Sequence, residues 1–251
     1  MPRAKLRLDS LLVERGLVAS RERARAMILA GDVRVDGQVV TKAGTATALD
    51  ADVSLDAPDH PYVGRGGIKL AHGLDTFAID VTSRIALDIG ASTGGFTDVL
   101  LQRGAHRVVA LDVGHGQLNW KIRNDPRVFV MERVNARALT PADLPDGSRS
   151  FGIVTIDVSF ISLRYILPVV PPLLETAADI VALVKPQFES KREEVGKGGI
   201  VRDPAVQARV VDEVVGAANE LGLTRAGLVE SPITGVEGNR EFLLHLVRRP
   251  A

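Results

Sequence analysis

The chain has 251 residues, carries 31 basic and 31 acidic side chains, and contains no cysteine. This composition excludes disulfides, thiolate metal sites and cysteine nucleophiles, and the length allows one large domain with a small companion. The net charge of zero conceals a basic N-terminal segment, since residues 1–45 hold nine basic and five acidic side chains, a net charge of +4. A local excess of this kind is what contact with nucleic-acid phosphates requires.

Two stretches bear on membrane association. Residues 1–10 lack the continuous apolar core of a secretory signal peptide. The most apolar stretch, residues 166–184, is interrupted by prolines and acidic side chains, so it is poorly suited to cross a bilayer. We therefore expect a cytoplasmic protein without a membrane span.

The N-terminal part of the chain predicts two short helices followed by a hairpin. Asp9 is expected to cap the first helix, which stops at Gly16. Ser20 is expected to cap the second helix, which ends before Gly31. Residues 33–40 read Val-Arg-Val-Asp-Gly-Gln-Val-Val and predict two strands joined by an Asp-Gly turn.

Proline and glycine are concentrated in residues 57–67, which predicts a linker between two domains. We assign residues 1–59 to a small, basic α+β domain, residues 60–63 to the linker and residues 64–251 to a larger α/β domain.

The larger domain alternates short apolar runs with helical patterns, as βαβ units do. The runs that predict buried parallel strands are residues 85–89, 108–111, 128–131, 153–156 and 180–184. Two later runs, near 228–229 and at 242–247, lie close together and predict an antiparallel hairpin at the edge of the sheet. The expected fold is Rossmann-like, with a mostly parallel seven-stranded sheet and an antiparallel edge strand.

A glycine-rich segment, residues 87–96 (Leu-Asp-Ile-Gly-Ala-Ser-Thr-Gly-Gly-Phe), follows the first of these strands and opens a helix. It lies where open α/β sheets bind ligands, at the carboxyl edge of the strand, although its spacing differs from that of a dinucleotide fingerprint. Asp112 ends the next strand, at about the distance along the chain at which a carboxylate meets a ribose diol. The alternative is a tight strand–helix turn without a ligand.

This D-x-G-x-x-x-G-G segment resembles motif I of Rossmann-like methyltransferases, which implies S-adenosylmethionine as cofactor. Asn135, after the third strand, is assigned either to the adenine region or to a turn. The cofactor-binding residues expected on this basis are Asp88, Gly90, Ser92, Thr93, Gly94, Gly95, Phe96, Asp112 and Asn135.

Four charged residues occupy positions that favour catalysis. Lys69 precedes the first strand, Asp157 and Lys185 end the fourth and fifth strands, and Glu241 opens the last strand. Because the carboxyl ends of parallel strands meet at one edge, Asp157 and Lys185 are expected near the glycine loop. Taken singly, Lys69 and Glu241 are more simply explained as structural charges.

The set Lys69, Asp157, Lys185 and Glu241 resembles the Lys-Asp-Lys-Glu tetrad of FtsJ-type ribose 2′-O-methyltransferases. The resemblance implies that Lys185 removes the proton from the ribose hydroxyl while the other three residues orient or tune it. Such a reaction mainly requires alignment of the hydroxyl, the methyl group and the sulfur.

Segments from both domains, in the same order, resemble the TlyA family of rRNA 2′-O-methyltransferases, some of which are named haemolysins. They are residues 7–42, 64–70, 90–96, 112–118, 133–137, 157–163 and 185–189. The resemblance implies methylation of a ribose, of cytidine in particular, in ribosomal RNA or ribosomal subunits. Some members carry Arg-x-Trp-Val between the domains, whereas this chain has His-Pro-Tyr-Val at 60–63, so a role for the linker is not carried over.

The remaining expectations concern partners. We expect a monomer without a metal ion, whose N-terminal domain binds RNA through Arg7, Arg21, Arg23, Arg25 and Arg34. Two alternatives remain open: methylation of a small molecule on the same scaffold, and a non-enzymatic, membrane-active protein. A small-molecule methyltransferase would leave the basic N-terminal domain unexplained. A membrane-active protein would need a strongly amphipathic insertion helix, which the sequence does not show.

Overall fold

A computed structural model describes residues 4–56, 60–145, 148, 150–235 and 237–248, apart from the side chains of Ala26 and Ala30. The chain forms two compact units, Met1–Arg65 and Gly66–Ala251. Each unit has its own apolar core.

The N-terminal unit packs two helices against short antiparallel strands. Its core is formed by apolar side chains of both helices, including Leu8, Leu12 and Ile28, which are fully buried. The first strand pairs with the fourth, and the second strand lies between the third and the fifth. Its elements are β1 (Lys5–Arg7), α1 (Leu8–Glu14), α2 (Arg21–Ala30), β2 (Val33–Val35), β3 (Gln38–Val39), β4 (Ala46–Ala48) and β5 (Val53–Leu55).

Local signals in this unit are largely confirmed. The Ser20 side chain accepts a hydrogen bond from the amide of Arg23 at 3.2 Å and caps α2, and Gly31 ends that helix at φ 80°. Asp36 and Gly37 both adopt positive φ, as the tight turn of the β2–β3 hairpin requires.

The expected helix cap at Asp9 is wrong. Arg7 occupies the cap position of α1 without a side-chain capping hydrogen bond, and Asp9 lies inside the first turn. The Asp9 carboxylate is fully buried against arginine side chains, so it is unavailable for capping.

The C-terminal unit is an α/β layer structure built on one sheet. Short 3-10 turns lie in the connections from β8 to β9 and from β9 to β10. The elements are α3 (Gly66–Thr76), β6 (Ile85–Ile89), α4 (Gly95–Gln102), β7 (Arg107–Asp112), α5 (Trp120–Arg123), β8 (Val128–Glu132), β9 (Phe151–Ile156), β10 (Leu174–Val184), α6 (Pro186–Glu189), α7 (Pro204–Glu220), β11 (Leu223–Glu230) and β12 (Phe242–Arg248).

The seven strands lie in the order β11-β12-β10-β9-β6-β7-β8. Strands β6 to β10 are mutually parallel, and β12 runs antiparallel to both β10 and β11. The mostly parallel Rossmann-like sheet with an antiparallel hairpin at its edge is therefore confirmed.

The connections around β9 differ from the expected alternation with helices. Between β9 and β10 the chain makes three successive 3-10 turns. Pro168, Pro171 and Pro172 lie in this segment, and each lacks the amide hydrogen that a regular helix uses. Residues 157–173 therefore connect the two strands without a regular α-helix. No helix in the described part of the chain is long and apolar enough to cross a membrane.

Candidate active site

The glycine loop lies between β6 and α4 and is held against the neighbouring strands. The amides of Gly90 and Ala91 donate to the Leu111 carbonyl at 2.8 and 3.0 Å. Gly90 has φ 87°, and a Cβ there would lie 2.3 Å from the backbone oxygen of Asp157. Only glycine fits this position, and the loop therefore touches the end of β9.

Asp88 lies beneath this loop and has no exposed surface. Its carboxylate accepts hydrogen bonds from the hydroxyls of Thr97 at 2.6 Å and Thr155 at 2.9 Å. Burial raises the pKa of Asp88 to about 6, because the two hydroxyls only partly replace water and the Asp157 carboxylate repels its charge. The side chain supports the loop from below, and its assignment to the cofactor stays a prediction.

Asp112, at the end of β7, binds two backbone amides. Its oxygens accept from Ser92 at 2.8 Å and from Gly114 at 2.6 Å, so the carboxylate joins the glycine loop to the following segment. Each carboxylate oxygen has a second acceptor position that remains available to a ligand.

Asp112 lines a cavity of about 210 Å³, a volume that includes space open to solvent. Its lining combines apolar side chains with a few polar ones, as small-molecule sites do. Its lining residues are Ala91, Ser92, Ala110, Asp112, Gly114, Gln117, Leu118, Val130 and Glu132.

Sequence reasoning missed Gln117 and Glu132. The amide oxygen of Gln117 accepts a hydrogen bond from the Ser92 hydroxyl at 3.3 Å. Glu132 accepts from the Gly116 amide at 2.8 Å and contacts His115 at 2.9 Å. Glu132 ends β8 directly opposite Asp112 in the strand register. Its place at the end of a predicted strand is the sequence feature that could have identified it.

The other expected cofactor residues lie in different environments. Phe96 is buried in the first turn of α4, whereas Thr93 is exposed on the loop. Gly94 and Gly95 form the start of α4, with Gly94 at φ 95°. The Asn135 side chain accepts from the amide of Arg137 at 3.1 Å, which is the turn-forming alternative.

Lys185 and Asp157 form an ion pair at the carboxyl edge of the sheet. The lysine Nζ lies 2.6 Å from Oδ1 of Asp157, although the approach lacks hydrogen-bond alignment. The same amine donates a hydrogen bond to the hydroxyl of Ser159 at 2.9 Å. Ser159, which sequence reasoning also missed, therefore fixes the amine together with Asp157.

Lys69 and Glu241 form a second, more deeply buried ion pair, with Nζ and Oε2 2.5 Å apart. Glu241 reaches this edge because β12 runs antiparallel to β10, so Phe242 pairs with Val184. A Cβ on Gly235 would lie 2.5 Å from Oε1 of Glu241, which shows how closely the chain packs there.

The first turn of α3 lies beside both the glycine-loop helix and the Lys185 pair. A Cβ on Gly66 would lie 3.4 Å from the Phe96 ring and 3.7 Å from Oδ2 of Asp157. Lys69 is three residues further on and lies on the same face of the helix. The four expected catalytic residues thus form two ion pairs at one edge of the sheet.

Glu189 fastens the chain after β9 to the chain after β10. Its carboxylate accepts from the Ser162 hydroxyl at 2.5 Å and the Leu163 amide at 2.7 Å. Burial raises the pKa of Glu189, while these two donors favour its charged form. The segments that carry the expected catalytic residues Asp157 and Lys185 are therefore joined at two points, Lys185 with Ser159 and Glu189 with Ser162.

The five arginines expected to bind RNA occupy three environments in the N-terminal unit. Arg7, Arg21 and Arg25 surround Asp9. Arg23 donates to the carbonyl of Tyr62 at 3.0 Å. Arg34 pairs with Asp56 through bonds of 2.7 and 3.1 Å.

Comparisons with known proteins agree with both units. Residues 62–248 match the family described as FtsJ-like methyltransferase, and residues 6–46 match the S4 domain. A Mycobacterium tuberculosis relative described as 16S/23S rRNA (cytidine-2′-O)-methyltransferase TlyA is 49% identical over 243 residues, 96% of this chain and 90% of the relative. Hemolysin A of Brachyspira hyodysenteriae is 40% identical over 242 residues, 96% of this chain and all (100%) of the relative. A solved structure from Streptococcus thermophilus has a TM-score of 0.77 at 43% identity, covering 99% of this chain and 90% of that one.

Proposed function

We propose that this chain, which belongs to the FtsJ-like methyltransferase family and carries an S4 domain, transfers a methyl group from S-adenosylmethionine to a ribose 2′-hydroxyl of ribosomal RNA. The TlyA relative acts on cytidine by its description, and we propose the same target nucleoside here. The enzyme is proposed to act in the cytoplasm as a monomer.

One observation supports this function most directly. The glycine loop touches the backbone of Asp157 at Gly90, and the side chain of Asp157 lies 2.6 Å from the Lys185 amine. A methyl donor held by the loop therefore adjoins a base at the end of β10.

The cavity suits the proposed cofactor. Asp112 lines the cavity and retains acceptor positions for the hydroxyls of a ribose. When bound, S-adenosylmethionine supplies an electrophilic methyl group on a sulfonium whose thioether leaves without protonation.

Lys185, in its neutral amine form, would accept the proton that the 2′-hydroxyl loses during methyl transfer. Asp157 and Ser159 fix the position of the lysine amine, and Asp157 stabilises the ammonium that forms. The Lys69–Glu241 pair holds the start of α3 against the start of β12. Alignment by fixed groups is the main contribution that such a displacement needs from the protein.

The test is methyl transfer from labelled S-adenosylmethionine to 16S and 23S rRNA or ribosomal subunits that lack the modification, followed by mass-spectrometric mapping. We expect a 2′-O-methylated cytidine. Incorporation into a small molecule alone, or a methyl group on a base, would reject the proposal.

Two substitutions separate a base from a positive charge at position 185. Lys185→Ala and Lys185→Arg should both reduce the methylation rate by about 10²- to 10⁴-fold, because a guanidinium keeps the charge but does not accept a proton. Calorimetry should show S-adenosylhomocysteine binding within about twofold of wild type, since binding and proton transfer are separate contributions. Full activity of the arginine variant would contradict the role of Lys185 as base.

A further inference from the structure

A single buried carboxylate organises three exposed arginines of the N-terminal unit. The Asp9 side chain has no exposed surface, although three half-exposed guanidinium groups surround it. Arg7 donates two hydrogen bonds to it at 3.0 and 2.8 Å, Arg25 donates one at 3.1 Å, and Arg21 lies 3.5 Å away. We call these four residues the Asp9 cluster.

The Asp9 cluster keeps an excess of positive charge at the surface. Three guanidinium groups and one carboxylate leave a net charge of +2. Each guanidinium has five N–H donors, and no more than two of those of any one arginine point to Asp9, so donors remain for another anion. Arg7 is additionally held against the backbone, since a Cβ on Gly44 would lie 3.0 Å from its guanidinium.

The carboxylate stays ionised throughout the physiological range. Hydrogen bonding from Arg7, together with Arg25 and Arg21, holds the pKa of Asp9 well below its usual range despite its burial. The three arginines are therefore anchored at one end and exposed along the rest of the side chain, with about half of each side chain accessible.

The two other arginines of this unit that were expected to bind RNA have different tasks. The guanidinium of Arg34 donates hydrogen bonds to the Asp56 carboxylate and to the Gly37 carbonyl. These bonds connect the β2–β3 hairpin to the end of β5. Arg23 donates to the Tyr62 carbonyl and so ties α2 to the end of this unit.

We propose that Asp9 is a positioning residue for RNA binding, because it holds Arg7, Arg21 and Arg25 in place for phosphates of the RNA backbone. The inference rests on the proposed RNA substrate and narrows the contact to Arg7, Arg21 and Arg25. Arginine forks match phosphate oxygens, and fixing them beforehand removes part of the entropy cost of binding.

The decisive test is the Asp9→Asn variant, for which net charge alone and the proposed role of Asp9 predict opposite changes in RNA affinity. Asp9→Asn removes a negative charge from a surface that meets RNA, so simple electrostatics expects tighter binding. The proposed site expects binding of in vitro transcribed 16S and 23S rRNA to weaken about fivefold, because the arginines lose their anchor. Filter binding with the full-length chain measures this, and thermal unfolding checks that the variant is folded. Equal or tighter binding by a folded variant overturns the inference.

A second pair of variants decides the matter if Asp9→Asn does not fold. Arg21→Gln removes the least tightly bonded arginine of the cluster, and Arg15→Gln removes the same charge from the end of α1, where Arg15 binds the carbonyls of Leu49 and Ala51. Arg21→Gln should lower the slope of log K against log salt by about 0.7 to 0.9, whereas Arg15→Gln should leave it unchanged. Equal slopes in the two variants overturn the inference.

Failure of the inference is distinguishable from failure of the proposed function. A wild-type chain that neither binds nor methylates ribosomal RNA would reject both. A wild-type chain that methylates this RNA, with Asp9→Asn binding as tightly as wild type, would reject the phosphate site alone.

Discussion

Replacing Asp88 with asparagine should stabilise the fold at neutral pH. Asp88 is fully buried, and its pKa lies at about 6 against an ordinary value of 3.8. A difference of about two pKa units corresponds to about 3 kcal/mol at 25 °C. Asparagine keeps the shape, and its amide can pair with the hydroxyls of Thr97 and Thr155 without a buried charge.

The direction of the stability change with pH follows from the pKa of Asp88 in the folded and the unfolded state. The folded-state pKa lies above the unfolded value, so the wild type binds the proton more tightly when folded. Its stability relative to Asp88→Asn should be greatest below about pH 4 and should fall as pH rises through about pH 6. Above about pH 6, the free energy of unfolding of Asp88→Asn should exceed that of the wild type by up to about 3 kcal/mol.

Urea unfolding of both proteins between pH 4 and pH 7.5 measures the difference, in which the titration of all other groups cancels. Asp125→Asn is the matched control with the opposite sign, because hydrogen bonding from Arg127 lowers the pKa of Asp125. A wild type that gains stability over Asp88→Asn as pH rises would refute the reasoning. Loss of cofactor binding in a stabilised Asp88→Asn variant would instead favour direct contact between Asp88 and the cofactor.

Three further predictions concern the active site. Gly90→Ala should lower the free energy of unfolding by more than about 2 kcal/mol and abolish cofactor binding. The substitution adds left-handed backbone strain to a 2.3 Å clash with the Asp157 carbonyl. An unchanged affinity for the cofactor in calorimetry would contradict this prediction. Ser159→Ala should lower the methylation rate about tenfold through loss of its bond to Lys185, and Ser159→Thr should restore most of it; an equal rate for Ala and wild type would exclude a role for the hydroxyl. Glu241→Gln and Lys69→Met should each destabilise the chain by about 3 kcal/mol or more in thermal unfolding, since each leaves a buried charge unpaired. The double variant should lose less than the two single losses together, and strict additivity would show that the pair is not coupled.

Short-range signals predicted much of the fold. Apolar runs gave the strands, because a buried parallel strand needs apolar side chains on both faces. Ser20, Gly31 and the Asp-Gly turn were equally readable, since each acts on its own backbone neighbours. The signal failed at Asp9, where contacts with Arg21 and Arg25, twelve and sixteen residues away, override a local capping preference.

The candidate site was predicted in part. Asp157 and Lys185 were expected together because parallel strands end at one edge, and the structure places them 2.6 Å apart. Ser159 and Glu132 were missed, because a serine or a glutamate after a strand carries no distinctive pattern until its partner is known. The cofactor and RNA assignments of the individual residues stay predictions.

By itself the sequence determined where the strands of the sheet occur, which short turns and helix ends are set by Ser20, Gly31 and the Asp-Gly pair, and which residues carry charge. These are properties of residue type and of spacing along the chain. Only the tertiary structure decided which charge meets which: Lys69 with Glu241 across 172 positions, and three arginines on one buried carboxylate. The physical reason is that an ion pair depends on distances of a few ångströms in a desolvated environment, and the packing of sheet and helices sets those distances.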